Sequence, residues 1–312
     1  MTDYLGRGRH MGVSSTERHG IRVITVDFPP VNALPAAGWR ELADAVDEAG
    51  AAPGTRVVVL RAEGRGFNAG VDIKEMRRTP GFEALLRANR GCHAAFKAIY
   101  ECAVPVVAAV QGFCLGGGVG LVGNADTIVA SDDAYFGVPE VDRGALGAAT
   151  HLSRLVPPHL LRTLYYTGRT ITARQLAGYG SVLEVVPRAG LDDAAMAVAG
   201  EIAAKDTAVI RAAKEALNGI DPIDVNRSYR FEQGFTFELN LAGVSDRLRA
   251  AFSTGAASST PSSAPAASPA PAPPRSARAP AAGTPRRDDD AGRAQVPGGP
   301  KPPTEAGPSL HA

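Results

Sequence analysis

Short runs of apolar, β-branched residues alternate with longer stretches of helical periodicity over most of the chain. The runs Ile21–Asp27, Arg56–Ala62, Val104–Val110 and Asp126–Ala130 predict strands. Between and after them, helices are predicted over Ala37–Ala49, Gly81–Glu101, Gly118–Asn124, Leu191–Ala204, Thr207–Asn218 and Pro222–Leu241. In Leu191–Ala204, for example, Leu191, Ala195, Val198 and Ile202 recur at the spacing of one helical face. Strands and helices in alternation predict an α/β domain with a parallel sheet, and no internal repeat is visible.

The pattern stops after Phe252. Residues 253–312 hold 13 of the 24 prolines and, among strong core formers, only Val296 and Leu310. Such a segment cannot bury enough apolar surface to offset the entropy of ordering it, so it reads as a disordered Pro/Ala/Ser-rich tail that is dispensable for activity. At the other end, residues 1–20 read as an extension. They lack the apolar core of a signal peptide, and Met11 offers an alternative start.

Composition narrows the classes of function. A hydrophobic fraction of 45% suits a packed core, and a net charge of +1 supplies no overall field to hold nucleic acid or an anionic membrane. No run of about 18 apolar residues is present, so no membrane association is expected. Cys92, Cys102 and Cys114 fit neither a disulfide framework nor a metal site, which points to a reducing, cytoplasmic location.

Three stretches carry candidate chemistry. In VPVVAAVQGFCLGGGVGLVGNAD, Val104 to Asp126, a buried strand runs through a turn into Gly116-Gly117-Gly118 and a helix. Consecutive glycines let a substrate approach the backbone, and the first amides of a helix lack internal partners and stabilise negative charge. Glycines placed there for tight packing alone would look the same. The same stretch holds a literal G-x-G-x-x-G, Gly118 to Gly123, but the next strand follows too soon for a dinucleotide-binding crossover. GRGFNAGVDIKEM, Gly64 to Met76, is a second glycine-rich turn after a strand, a common feature by itself. In FGVPEVDRGALG, Phe136 to Gly147, Glu140 follows a proline in apolar surroundings. There desolvation would raise its pKa and make it a usable base, whereas a solvated surface glutamate is the ordinary alternative.

Taken together in this order, the three stretches resemble the crotonase (enoyl-CoA hydratase/isomerase) superfamily. The pattern F-x-A-G-x-D-x-x-E is met by Phe67, Ala69, Gly70, Asp72 and Glu75, the strand-turn-glycine pattern by Pro105 to Gly118, and F-G-x-P-E by Phe136 to Glu140. PPVNAL, Pro29 to Leu34, resembles the family's first CoA-binding turn, and the likeness spans about Ile21 to Phe252. The resemblance implies a ClpP-like spiral of ββα turns over 21–190, a helical region over 191–252 used for oligomerisation, and assembly as homotrimers or dimers of trimers. It implies no metal and no prosthetic group, because coenzyme A arrives as part of the acyl-CoA substrate.

The resemblance also implies roles. The amides of Val71 and Gly117 would grip the thioester oxygen, and Glu140 would be the base. Val31, Phe67, Ala69, Val71, Asp72, Ile73 and Gly117 would contact the coenzyme. Hydratases of the family carry a second glutamate where this chain has Gly120, so simple enoyl-CoA hydration is not expected. Isomerisation and carbon–carbon bond hydrolysis fit what is left, with a non-catalytic scaffold as a further alternative.

Four stretches resemble a narrower group: Val141 to Pro157, Gly180 to Pro187, Ala203 to Asn218 and Arg230 to Gly243. Its actinobacterial members open ring D of a methyl-dioxo-hexahydroindene-carboxyl-CoA in steroid breakdown. That chemistry implies a second polar group near a ring ketone. Asp142, His151 and Glu238 are the candidates, each with a structural alternative: pairing with Arg143, packing, and a subunit contact respectively.

Overall fold

The computed structural model describes residues 11–79 and 81–253, all within one compact unit. The expected tail, apart from Ser253, and the first ten residues lie outside the described residues.

The chain begins with an antiparallel pair, β1 (Gly12–Arg18) and β2 (Ile21–Asp27), followed by α1 (Ala36–Ala51) and β3 (Val57–Ala62). Helices α2 (Ile73–Arg78) and α3 (Glu83–Glu101) lead to β4 (Val106–Val110), β5 (Phe113–Leu115) and α4 (Gly117–Val122). Next come β6 (Thr127–Ser131), β7 (Tyr135–Gly137), a 3-10 turn (Pro139–Arg143), α5 (Ala149–Leu152) and α6 (Pro158–Thr167). The last elements are β8 (Thr170–Thr172), α7 (Ala173–Gly178), β9 (Glu184–Val186), α8 (Leu191–Ala203), α9 (Thr207–Ile220), α10 (Val225–Leu241) and α11 (Val244–Ser253).

Six strands form one sheet in the order β1-β2-β3-β4-β6-β9, and β5-β7-β8 form a second. From β2 to β9 every pairing in the large sheet is parallel. Its central strands β3, β4 and β6 are covered on both faces, which is why they read as largely apolar runs. Val58, Leu60, Val106, Ala108 and Val110 face the main core with Trp39, Phe96 and Leu121. Val57, Val59, Val107, Ala109 and Val129 face the other way, onto Leu191, Ala195, Ala199 and Ala203 of α8.

Each turn of the spiral gives a longer strand to the large sheet, a short strand to the small one, and then a helical segment: β4, β5, α4, then β6, β7 and the 3-10 turn. The preceding turn follows the same path, since Asn68 bridges Cys114 of β5 in parallel just before α2.

One boundary differs from the sequence reading. Residues 12–18, placed there in an extension, are a strand; β1 is an edge whose residues past Val13 are polar or exposed, so it shows no apolar alternation. The region placed from 191 onward is helical, α8 to α11, and α8 also supplies the second covering layer of the sheet. Helix α9 is likewise anchored to the sheet: the Lys214 ammonium, 4% exposed, bonds both oxygens of Asp126 at 2.8 and 2.9 Å, and Asp126 also accepts from Val106 N. Lys214→Met leaves that carboxylate, whose side chain is 25% exposed, to water instead of its cation, and a loss of about 1 kcal/mol is expected in urea unfolding followed by circular dichroism.

Candidate active site

The strand register of the small sheet gathers the three motifs. Asn68 pairs with Cys114, and Cys114 with Phe136. A few residues beyond each of these partners stand Val71, Gly117 and Glu140, so all three occupy the same place in successive turns of the spiral. Two buried asparagines lock the first of these segments. Asn32 Nδ2 donates to Glu63 O (2.7 Å) and Gly66 O (3.0 Å); Asn68 Nδ2 donates to Asn32 O (2.6 Å), and its Oδ1 accepts from Gly70 N (2.7 Å). Glu75 of the same motif accepts from Ala36 N at the start of α1, and Asp72 caps α2 through Lys74 N.

The two expected amides stand on neighbouring segments. Leu34 N donates to Gly70 O and Asp72 N to Leu34 O, each at 2.9 Å, a pairing that passes over the N–H of Val71. Gly117 is the first residue of α4, where an N–H has no acceptor inside the helix. The two segments touch: a β-carbon on Gly70, which has φ +85°, would lie 3.3 Å from Gly117 N. Every glycine of the triplet is spoken for. A β-carbon on Gly116, at φ +53°, would collide with Glu140 Oε1; one on Gly117 would stand 2.7 Å from Trp39 Cη2, and one on Gly118 2.8 Å from Asn68 O.

Glu140 rises from the 3-10 turn with Oε2 buried and without a hydrogen-bond partner. Burial pushes its pKa up to about 8; Arg143 opposes the rise and Glu232 adds to it. Around it opens a largely apolar cleft, the kind of lining that takes a small-molecule acyl group. Ala69, Val71, Ile73, Met76, Leu85, Cys92, Phe96, Gly117, Leu146 and Tyr229 line it, with polar side chains from Asn89, Arg143, Thr236, Asn240 and Arg249. Among the described residues Glu140 is the one acid in that lining.

The remaining expected residues stand elsewhere. Phe67 is buried in the core, so only its backbone is on offer, and neither Val31 nor Asp72 lines the cleft. None of the three candidates for a second polar group reaches it. Asp142 is exposed and packs against Gly168; Glu238 is exposed on α10. His151 is buried behind Phe96 and Tyr229, with ring centroids 4.7 and 4.9 Å away, and burial pushes its pKa down to about 3, so it stays neutral.

The sequence reading missed what shapes the cleft. Phe96 of α3 fills the space in front of Gly120, where a β-carbon would stand 2.1 Å from Phe96 Cζ. Glu232 of α10 accepts from Ala149 N (2.8 Å), Thr150 N and Thr150 Oγ1 (both 3.1 Å) and the Tyr165 hydroxyl (3.2 Å), and that hydroxyl accepts from Gly147 N (3.1 Å). It thereby holds the loop that floors the cleft beside Glu140. Only a buried-face pattern on α10 could have flagged it, and a lone polar residue there gives no such signal.

The model of the enoyl-CoA hydratase/isomerase family matches residues 16–232. The chain belongs to that family. Two curated relatives are each 70% identical: a Rhodococcus jostii protein over 78% of this chain and 94% of its own length, and a Mycobacterium tuberculosis protein over 77% and 97%. Both are named (7aS)-7a-methyl-1,5-dioxo-2,3,5,6,7,7a-hexahydro-1H-indene-carboxyl-CoA hydrolase. Among solved structures, an enoyl-CoA hydratase/isomerase from Xanthobacter autotrophicus Py2 matches with a TM-score of 0.70 at 29% identity, over 78% of this chain and 97% of its own. The ββα spiral described above is thus the fold of this enzyme family, and the glycine-lined cleft with Glu140 lies where its three motifs converge.

Proposed function

We propose that this family member is a hydrolase that opens a carbon–carbon bond in a bicyclic dioxo acyl-CoA of the kind its two 70% identical relatives are named for. The observation that carries the reading is the single buried carboxyl beside the two amides, with Phe96 standing where a hydratase needs its second glutamate. In such a substrate a ring ketone is linked through a quaternary carbon to a double bond conjugated with the thioester, a vinylogous 1,3-dicarbonyl. Glu140 takes a proton from water as the water adds to the ketone. The bond between the former ketone carbon and the quaternary carbon breaks, leaving a carboxylic acid. Its electron pair passes into a dienolate ending on the thioester oxygen, where the N–H groups of Val71 and Gly117 hold the charge. Reprotonation on carbon restores the thioester, and the net change is one water consumed. Nothing in this sequence calls for a prosthetic group, since the thioester itself is the electron sink.

Incubation with a 2-enoyl-CoA and with the bicyclic dioxo-CoA, each followed by mass spectrometry, tests the proposal. Water gained with the ring opened to a carboxylate is expected; water gained across the double bond of the enoyl-CoA alone would favour a hydratase instead. The pH profile follows from the raised pKa. Because the base must be ionised, kcat/KM climbs with pH to a plateau above about 8, and at pH 6 it stands about 100-fold lower. A profile flat from pH 6 to 9 would remove Glu140 from this role.

The proposal extends to setting and assembly. Three buried free thiols support a cytoplasmic enzyme, and among the described residues no helix is long and apolar enough to cross a membrane. Phe231, Phe235 and Leu241 of α10 and Val209, Leu217 and Ile220 of α9 stand exposed, apolar surface that supports burial in a homotrimer or a dimer of trimers. Light scattering on the eluted protein should give three or six copies; a monomer would overturn this.

A further inference from the structure

We propose that Arg249 of α11 is a specificity-determining residue, which together with Arg143 selects acyl groups that carry or acquire an anionic oxygen away from the thioester. The inference deepens the ring-opening reading and rests on it for the identity of that anion, the carboxylate released when the ring opens.

The charges of the cleft point this way. Besides Glu140, its charged side chains are Arg143 and Arg249, both cationic. Arg249 sits on the side away from the amides, because it also borders an adjoining hollow with Met76, Phe82 and Leu85 that Val71, Gly117 and Glu140 do not reach. Its side chain is only 16% exposed. Nη2 is held by Asn240 Oδ1 at 2.9 Å and Asp246 Oδ1 at 2.6 Å, which fixes the guanidinium plane at the wall of the cleft. Asp246, at 78% exposure, pairs with it from the solvent side. α11 is itself pinned to the catalytic side: Ser245 Oγ donates to Gly144 O, next to Arg143 in the chain. A half-desolvated guanidinium in an otherwise apolar lining disfavours a plain alkyl chain and forms strong charge-assisted bonds to a carboxylate. An acyl group that becomes a carboxylate in the reaction gains most from it. An apolar acyl chain gains nothing.

Binding of two non-reacting probes by the full-length chain tests this without ring turnover. Glutaryl-CoA and pentanoyl-CoA have acyl chains of equal length, one ending in a carboxylate. Calorimetry should show the wild type preferring glutaryl-CoA by about 10-fold or more, with Arg249→Met losing most of that preference while pentanoyl-CoA binding stays within about 2-fold. Arg249→Lys should recover part of it. Equal affinities in the wild type, or equal weakening of both ligands in Arg249→Met, would overturn the proposal, the latter because it marks a structural role. Should Arg249→Met fail to fold by circular dichroism, Arg249→Gln takes its place with the same two outcomes. Turnover of the bicyclic dioxo-CoA by the wild type is read separately by mass spectrometry, so failure of the ring-opening reading is told apart from failure of this one.

Discussion

Glu140→Gln should lower turnover of the bicyclic dioxo-CoA by about 10²–10⁴-fold, with thioester binding nearly unchanged. The amide keeps the shape of the carboxyl and its fit over Gly116 but accepts no proton from water. The same exchange should raise stability at alkaline pH. The folded-state pKa of Glu140 lies at about 8, above its ordinary value of 4.5, so its contribution to stability is present in full below 4.5 and is lost as pH rises through 8. Glutamine carries no such penalty. Thermal unfolding should therefore show variant and wild type alike near pH 4.5 and the variant melting higher above pH 8. Near wild-type turnover in Glu140→Gln would place the base elsewhere and undo the mechanism proposed here.

Gly120→Glu, which restores the residue the family's hydratases carry, should fail to make a hydratase and should cost the protein its fold. A β-carbon at 120 would collide with Phe96 Cζ at 2.1 Å. That ring has nowhere to go: Trp39, His151 and Tyr229 surround it at centroid distances of 5.7, 4.7 and 5.1 Å. Overpacking of this kind costs about 1–3 kcal/mol or more, and the carboxylate adds the penalty of a buried unpaired charge. A fall in Tm of about 10 °C or complete loss of soluble protein is expected. The double variant Phe96→Ala/Gly120→Glu should recover soluble protein by opening the space. Wild-type protein should leave crotonyl-CoA unhydrated over the same period. Rapid hydration by the wild type, or a fully stable Gly120→Glu protein, would show that Phe96 does not occupy the hydratase position.

Much of the scaffold is legible before folding. Val57–Ala62 and Val106–Val110 announce themselves as strands because both faces of a parallel sheet are covered, leaving no polar positions to blur the run. Helices α1, α3, α9 and α10 show where one face must be buried. Strands β5, β7, β8 and β9 have three residues each, too few for any periodicity to register, and the sequence reading passed over them. Yet it is β5 and β7 whose register brings Gly117 beside Glu140, and the Asn68 bridge to β5 that adds Val71.

By itself, then, the sequence determined the alternation of strands and helices, the glycines whose missing side chains a close backbone approach requires, and the glutamate placed after Phe136-Gly137-Val138-Pro139. These are local matters, written in residues next to one another. Which groups meet in the cleft was decided only by the tertiary structure: Phe96 before Gly120, Glu232 beneath the loop at 147–150, Arg249 at the far wall, and Asp142, His151 and Glu238 kept out of it. Those neighbours lie on different elements. Their distances are set by strand register and helix packing, which single polar or aromatic residues in the chain do not encode in any local pattern.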